Sequence, residues 1–177
     1  DGQRLSEVEL VQNCIFLLNA GHETTTSMVG NAVGMLLQHP DQLRRLQRDP
    51  ALIDSTVEEA LRLASPLQTG NRLTTGAVEL GGARIAKGTY SHTSSAAANR
   101  DPRQFENPEQ VDIGRTPNRH VAFAKGHHIC LGATLARMEG KLAIGRLVQR
   151  FPHLRENGAV EILPIARFRG YSRLPVA

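Results

Sequence analysis

Apolar residues recur at helical spacing near the start of the chain, at Leu10, Val11, Cys14, Ile15 and Leu18, and resume beyond a polar interruption at Met28, Val29, Val33, Leu36 and Leu37. Steps of three and four residues place such side chains on one stripe of a helix. Ser6, with Glu9 three residues on, has the form of a capping box, and His39-Pro40 supplies a stop, so the pattern predicts one long helix over 6–38. The interruption, Ala20-Gly21-His22-Glu23-Thr24-Thr25-Thr26, combines three χ1-stiff threonines with a glycine, which costs about 1 kcal/mol in a helix interior. The middle of the helix is therefore expected to be locally irregular, as functional positions often are.

Further on, Asp41 is placed to cap a short helix to about Arg48, and after Asp49-Pro50 another is predicted to about Leu63, ending before Ser65-Pro66. The pattern then changes. Val78-Glu79-Leu80, Gly81-Gly82 and Ala83-Arg84-Ile85 read as a hairpin, with a strand candidate at 89–93 after Lys87-Gly88. Residues 101–122 are rich in Pro, Asn and Asp and predict an ordered, irregular meander. A helix returns from Leu131 to Arg150, carrying Leu135, Met138, Leu142, Leu147 and Val148 and stopped by Phe151-Pro152; short strands are expected at 153–156 and 159–163. The expected fold is mainly α with small β-sheets, in a single domain over 1–177.

Composition narrows the function classes. At 177 residues and 19.3 kDa the chain can bury one core. Its formal charge of +4 comes from scattered basic residues, and aromatics are only 4% of the chain, which argues against a nucleic-acid surface. No apolar run approaches the roughly 20 residues that span a bilayer, and no secretory signal pattern opens the chain. A cytoplasmic protein without membrane or nucleic-acid partners is expected. Of its two cysteines, Cys14 lies in the apolar run Cys14-Ile15-Phe16-Leu17-Leu18, so a disulfide framework is not expected.

Cys130 calls for another role. It lies in Phe123-Ala124-Lys125-Gly126-His127-His128-Ile129-Cys130-Leu131-Gly132, immediately before a predicted helix. A sulfur there feels the positive end of the helix dipole and nearby backbone N–H groups, both of which favour the thiolate. Gly126 and Gly132 permit tight turns and close approach of a flat ligand, and Phe123 supplies an aromatic wall. A thiolate-ligated heme needs these features. Two alternatives stay open on local chemistry: a plain structural cysteine, and a zinc site of His127, His128 and Cys130, which lacks a fourth ligand.

The loop resembles the heme-binding signature of the cytochrome P450 family at Phe123, Gly126, His128, Cys130, Leu131 and Gly132. It departs at Ala124, where the family usually has glycine; a positive φ there would strain alanine by roughly 1 kcal/mol. Three other segments match in the family's order. Ala20-Gly21-His22-Glu23-Thr24-Thr25 resembles its oxygen-activation motif, Glu59-Ala60-Leu61-Arg62 its Glu-x-x-Arg motif, and Ala98-Asn99-Arg100-Asp101-Pro102 with Phe105 the segment leading into its meander.

The resemblance implies a set of roles. Cys130 is the proximal ligand of the iron of heme b, and Glu23 and Thr24 are the acid and alcohol that relay protons to bound dioxygen. His128 and Arg72 hold heme propionates. Glu59 and Arg62, which as an exposed pair on one helix face would contribute only about 0.2–0.5 kcal/mol, become a buried pair that locks the meander, together with Arg115. His92, His120 and His127 receive no role.

The resemblance covers about the C-terminal half of the family's fold, without the helices that roof the substrate pocket. Residues 83–94 are expected to fall in a sheet whose partner strands lie in the other half, and Tyr90-Ser91-His92-Thr93-Ser94-Ser95 is polar where the family's strand is apolar. Two functions compete: a monooxygenase oxidising a small apolar molecule, and a truncated, non-catalytic heme-binding or interaction protein. The first implies a ferredoxin-type redox partner meeting basic residues such as Lys125 and Arg137. The second allows a homodimer that covers the open face.

Overall fold

The computed structural model describes residue 2 and residues 4–177. The first helix, α1 (Glu7–Gln38), opens on the expected capping box: the Glu9 amide donates to Ser6 Oγ at 3.3 Å, and the Ser6 amide donates to Glu9 Oε2 at 2.8 Å. Its 32 residues run without a break, so the expected mid-helix irregularity is absent. The threonine hydroxyls turn back onto the helix, Thr24 donating to the Ala20 carbonyl at 2.6 Å and Thr26 to that of His22 at 2.9 Å. These bonds occupy the hydroxyls without taking an amide from the helical ladder.

Helix α2 (Pro40–Arg48) starts two residues earlier than expected. His39 is its N-cap, Pro40 occupies the first turn where its missing N–H costs nothing, and Asp41 sits inside that turn rather than capping it. After a single 3-10 turn at Pro50–Leu52, capped by the Asp49 side chain, α3 spans Ile53–Leu63. Its last carbonyls are taken by distant side chains: Arg100 and Arg169 donate to Leu63 O, and Asn31 Nδ2 donates to Ala64 O at 2.9 Å. Helix α4 (Ser95–Ala98) is one turn long, and α5 spans Ala133–Arg150, starting two residues after the expected Leu131.

Helices α1, α3 and α5 pack together, with α2 against α1 and α5. Their shared core contains Met28, Ala32, Met35, Leu36, Val57, Ala60, Leu61, Ile144 and Val148, and the meander adds Val111 and Ile113. Close approach is set by small residues. A Cβ on Gly140 of α5 would stand 2.9 Å from Met28 Cε, and one on Gly34 of α1 would meet the Tyr171 ring at 2.7 Å. Only the C-terminal part of α1 is buried in this way; Val8, Leu10, Val11, Ile15, Phe16, Leu17 and Leu18 are all exposed, Phe16 by 68%. Cys14 is exposed with them, and both cysteines are free.

The strands form three separate antiparallel pairs. β2 (Val78–Leu80) and β3 (Ala83–Ile85) are the predicted hairpin. β4 (Tyr90–Ser94) covers the candidate at 89–93 but does not join that hairpin; it pairs with β1 (Thr69–Leu73), which hydrophobic pattern had not indicated, with Asn71 opposite His92 and Arg72 opposite Ser91. The polar run is thus a paired strand. Near the C-terminus, β5 (Glu161–Ile162) pairs with β6 (Tyr171–Arg173), shorter than the expected 159–163, while 153–156 forms no strand and contributes only a bridge from Glu156 to Val176. No described helix is long and apolar enough to cross a membrane.

Candidate functional site

Two groups of the residues singled out by sequence come together. The first is the ion-pair centre under the meander. Glu59 and Arg62 side chains are both 0% exposed, joined by two bonds of 2.8 Å from Arg62 Nε and Nη2 to the Glu59 carboxylate. Arg62 also donates to the carbonyls of Asn99, Pro108 and Gln110, and its guanidinium lies over the Phe105 ring at 5.1 Å. Glu59 accepts further bonds from the Asp112 amide at 3.0 Å, Asn118 Nδ2 at 3.0 Å and Arg115 Nε at 3.3 Å. Arg115 itself reaches the carbonyls of Glu106, Asn107 and Gln110. A buried ion pair persists where its remaining donors and acceptors are satisfied, and here they are satisfied by the backbone of the meander together with the Arg115 and Asn118 side chains. Folding the meander and neutralising the pair are one event.

The second group is the cysteine loop. Asn99, buried at the end of α4, accepts the Val121 amide on its side-chain oxygen at 2.8 Å and so fixes where the chain leaves the meander. The Ala124 amide donates to Val121 O, and the Cys130 amide returns to Phe123 O at 2.9 Å, closing the loop. Two positions inside it have left-handed backbone: Ala124, with φ of +59°, and Gly126, with φ of +75°. Alanine thus stands where glycine would be unstrained. Residues Gly126–His128 make a single 3-10 turn, and the Cys130 carbonyl accepts the first amide of α5. Cys130 precedes the N-cap, Gly132, by two residues, and that cap has no side chain to occupy the first-turn amides.

The face around the sulfur is open and apolar. Cys130 is exposed, Ile129 is exposed, and Leu131 is 90% exposed. A Cβ on Gly126 or Gly132 would meet no heavy atom within 4 Å. A soft thiol donor between bare glycines and uncovered aliphatic side chains suits a flat, apolar, iron-bearing ligand such as heme. Among the described residues, no group of three or more His, Cys, Asp or Glu is placed to hold a metal ion, so His127, His128 and Cys130 do not converge as a zinc site.

Other expected site residues stay apart. Glu23 is exposed on α1, Thr24 is half-buried beside it, and Arg72 lies exposed on β1 with Nη1 donating to Asn71 O at 2.7 Å. His128 is exposed in the loop. Among the described residues, no hydrogen bond or ion pair joins Glu23, Thr24, Arg72 or His128 to one another. Arg137 is not a free basic group: it chelates Glu58 through bonds of 2.6 and 2.9 Å. Glu58 also meets His120 Nε2 at 3.0 Å. Burial pushes the Glu58 pKa up, but hydrogen bonds from His120 and Arg137, with the guanidinium's charge, outweigh it and bring it down to about 2. Sequence reasoning had missed Glu58 and Asn118, named Asn99 only as part of a matched segment, and left His120 without a role. Glu58, directly before Glu59, carried no signal of its own, because its spacing is that of an ordinary charged helix residue.

The family profile for cytochrome P450 matches residues 1–165. The chain is 44% identical over 174 residues to a biotin biosynthesis cytochrome P450 of Bacillus subtilis, covering 98% of this chain and 44% of that protein. It is 46% identical to a vitamin D(3) 25-hydroxylase of Pseudonocardia autotrophica, covering 99% of this chain and 45% of that protein. It therefore spans somewhat less than half the length of these relatives. Among solved structures, P450BioI in complex with an acyl carrier protein ligated to hexadec-9Z-enoic acid matches with a TM-score of 0.96 at 44% identity, covering 99% of this chain and 46% of that one. CYP109E1 from Bacillus megaterium in complex with testosterone matches with a TM-score of 0.96 at 35% identity, covering 99% of this chain and 49% of that one. With the loop, the ion-pair centre and the helical frame all accounted for, the chain belongs to the cytochrome P450 family.

Proposed function

We propose that the chain is the heme-thiolate part of a monooxygenase that oxidises a small apolar molecule, with Cys130 as the axial ligand of heme b. The observation that carries this proposal is the cysteine loop: an exposed thiol, closed by the Cys130 to Phe123 bond, on an open face that bare glycines and aliphatic side chains leave free for a flat ligand. When bound, the heme would supply the redox centre at which dioxygen is activated.

The chain's own residues do the rest. Gly126 and Gly132 let the backbone approach the ligand, and Phe123 walls the loop. Arg72 and His128 offer donors to its propionates. Glu23, exposed on α1, can exchange protons with solvent. Thr24, whose hydroxyl hydrogen is directed to Ala20 O at 2.6 Å, keeps its lone pairs available to accept a hydrogen bond from a group at the heme, and the neighbouring Glu23 carboxylate would act as a separate proton source. Glu59, Arg62 and Arg115 hold the meander on which the loop is built. A ferredoxin-type donor steered by exposed basic residues such as Lys125 completes the proposal. The P450BioI structure is a complex with an acyl carrier protein bearing hexadec-9Z-enoic acid and the CYP109E1 structure a complex with testosterone; the acyl chain and the steroid are both apolar, in keeping with the substrate class proposed here.

A second reading has one observation behind it. Among the described residues, the apolar side chains of α1 at Val8, Leu10, Val11, Ile15, Phe16, Leu17 and Leu18 are all exposed. A truncated, non-catalytic heme-binding protein that covers this face by forming a homodimer would account for it. The two are separated by loading the chain with heme, supplying electrons from a ferredoxin-type donor and a long-chain fatty acid, and measuring hydroxylated product against released peroxide. The monooxygenase reading expects product, and a severalfold larger peroxide share in Thr24→Ala. Peroxide alone, unchanged in Thr24→Ala, favours the second reading.

A further inference from the structure

A second charged group on α3, centred on Glu58 one residue before the buried ion pair, has a geometry that reaches the cysteine loop from both ends. His120 Nδ1 accepts the Ala122 amide at 3.2 Å, so the ring proton is on Nε2, which donates to Glu58 Oε2 at 3.0 Å. This tie lies just ahead of the loop. Beyond the loop, Arg137 of α5 grips the same carboxylate with Nε and Nη2, a bidentate fork of the kind that fixes orientation as well as distance. The guanidinium then stacks over the Phe123 ring, 4.6 Å from its centroid. Phe123 is the residue whose carbonyl holds the Cys130 amide.

We propose that Glu58 is a positioning residue for Cys130: one carboxylate ties both flanks of the cysteine loop to α3, and through Arg137 it clamps Phe123, which holds the Cys130 backbone. Several features support this. His120 is nearly fully buried and Glu58 largely so, which shields the group from screening. The Arg137 pKa is raised, chiefly by its hydrogen bonds to Glu58 against the opposing effect of burial, as the fork geometry requires. Ala124 is held at positive φ inside the clamped segment, a conformation that persists only where the surroundings over-determine it. The consequence for iron ligation rests on the heme-thiolate proposal; the clamp itself does not.

Amide hydrogen exchange in the full chain without heme tests the clamp. Glu58→Gln and Arg137→Gln are each expected to speed exchange of the Cys130 amide about tenfold, the scale of one charge-assisted hydrogen bond, while the amides of Leu36 and Val57 keep their protection. The double variant is expected to match the faster single, because both members act through one contact. Arg137→Lys, which keeps the charge and loses the fork, is expected to fall between wild type and Arg137→Gln. Unchanged loop exchange in the single variants, or equal acceleration of loop and core amides, would overturn the proposal. In the heme-loaded chain, Glu58→Gln is expected to lower the share of the reduced, CO-bound Soret absorption that is red-shifted, without loss of total heme. If wild type itself lacks the red-shifted band, the heme-thiolate proposal fails, and the exchange data alone still decide the clamp.

Discussion

Ala124 concentrates the physics of the cysteine loop in one residue. Its φ of +59° is a conformation that an L side chain pays for and glycine does not, so Ala124→Gly is expected to stabilise the chain by about 1 kcal/mol, seen as a higher denaturant midpoint. A lower midpoint would mean that the unfolded-state freedom gained by glycine outweighs the relieved strain. The sequence shows this departure because one position differs within an otherwise matching loop. Burial at Glu59 and Arg62 is less legible. Three residues apart on one helix face, they have the spacing of a weak surface pair, and only the meander arriving from residues 99–118 encloses them. Arg62→Ala would leave the Glu59 carboxylate buried against Arg115 alone, and breaking a buried pair this way costs about 3–5 kcal/mol. Against a typical total of roughly 5–15 kcal/mol, that predicts a much earlier or non-cooperative urea transition. A loss under about 1 kcal/mol would mean that the pair is as solvated as its spacing alone suggests.

Elements announced by chain chemistry form as expected, and those made by partners do not announce themselves. The capping box starts α1, prolines delimit α2 and α3, and the Gly81-Gly82 turn makes the β2–β3 hairpin. By contrast Thr69-Gly70-Asn71-Arg72-Leu73 has no alternation of apolar residues, because its pairing with the equally polar β4 depends on main-chain bonds and on contacts such as His92 to Asn71 at 2.9 Å. Within α1, helix propensity misjudged the threonine segment because the hydroxyls bond back to carbonyls and the flanking turns carry the helix through. Between elements, the Glu58 cluster gives a pH dependence of definite sign. Its folded pKa of about 2 lies below the ordinary 4.5, so the stabilisation it gives is complete above about 4.5 and is lost as the pH falls through that window toward 2. Glu58→Gln is expected to flatten the stability profile between these two pH values relative to wild type, measured by urea unfolding at each pH. Parallel profiles would remove Glu58 from the acid response.

For the whole molecule, four short segments in family order identified the fold although most of the chain between them is ordinary, and length, charge and composition said little. What the sequence pattern of α1 could not tell is that its N-terminal stripe stays exposed among the described residues: the same spacing that buries Met28 and Leu36 leaves Ile15 and Leu18 largely in solvent. A patch of this kind drives association. Phe16→Lys with Leu18→Lys is therefore expected to shift sedimentation toward the monomer while changing the unfolding midpoint little, within about 0.5 kcal/mol as for other surface positions. Unaltered sedimentation in that variant would place any self-association elsewhere. The open face, the clamped loop and the buried ion pair all bear on a single claim, that this chain presents Cys130 as a thiolate ligand to heme. The absorption spectrum of the heme-loaded, reduced, CO-bound chain, compared with Cys130→Ala, tests it most directly. A red-shifted Soret band in the wild type that vanishes in Cys130→Ala is the result predicted; its absence from the wild type, or its survival without the sulfur, would contradict the claim.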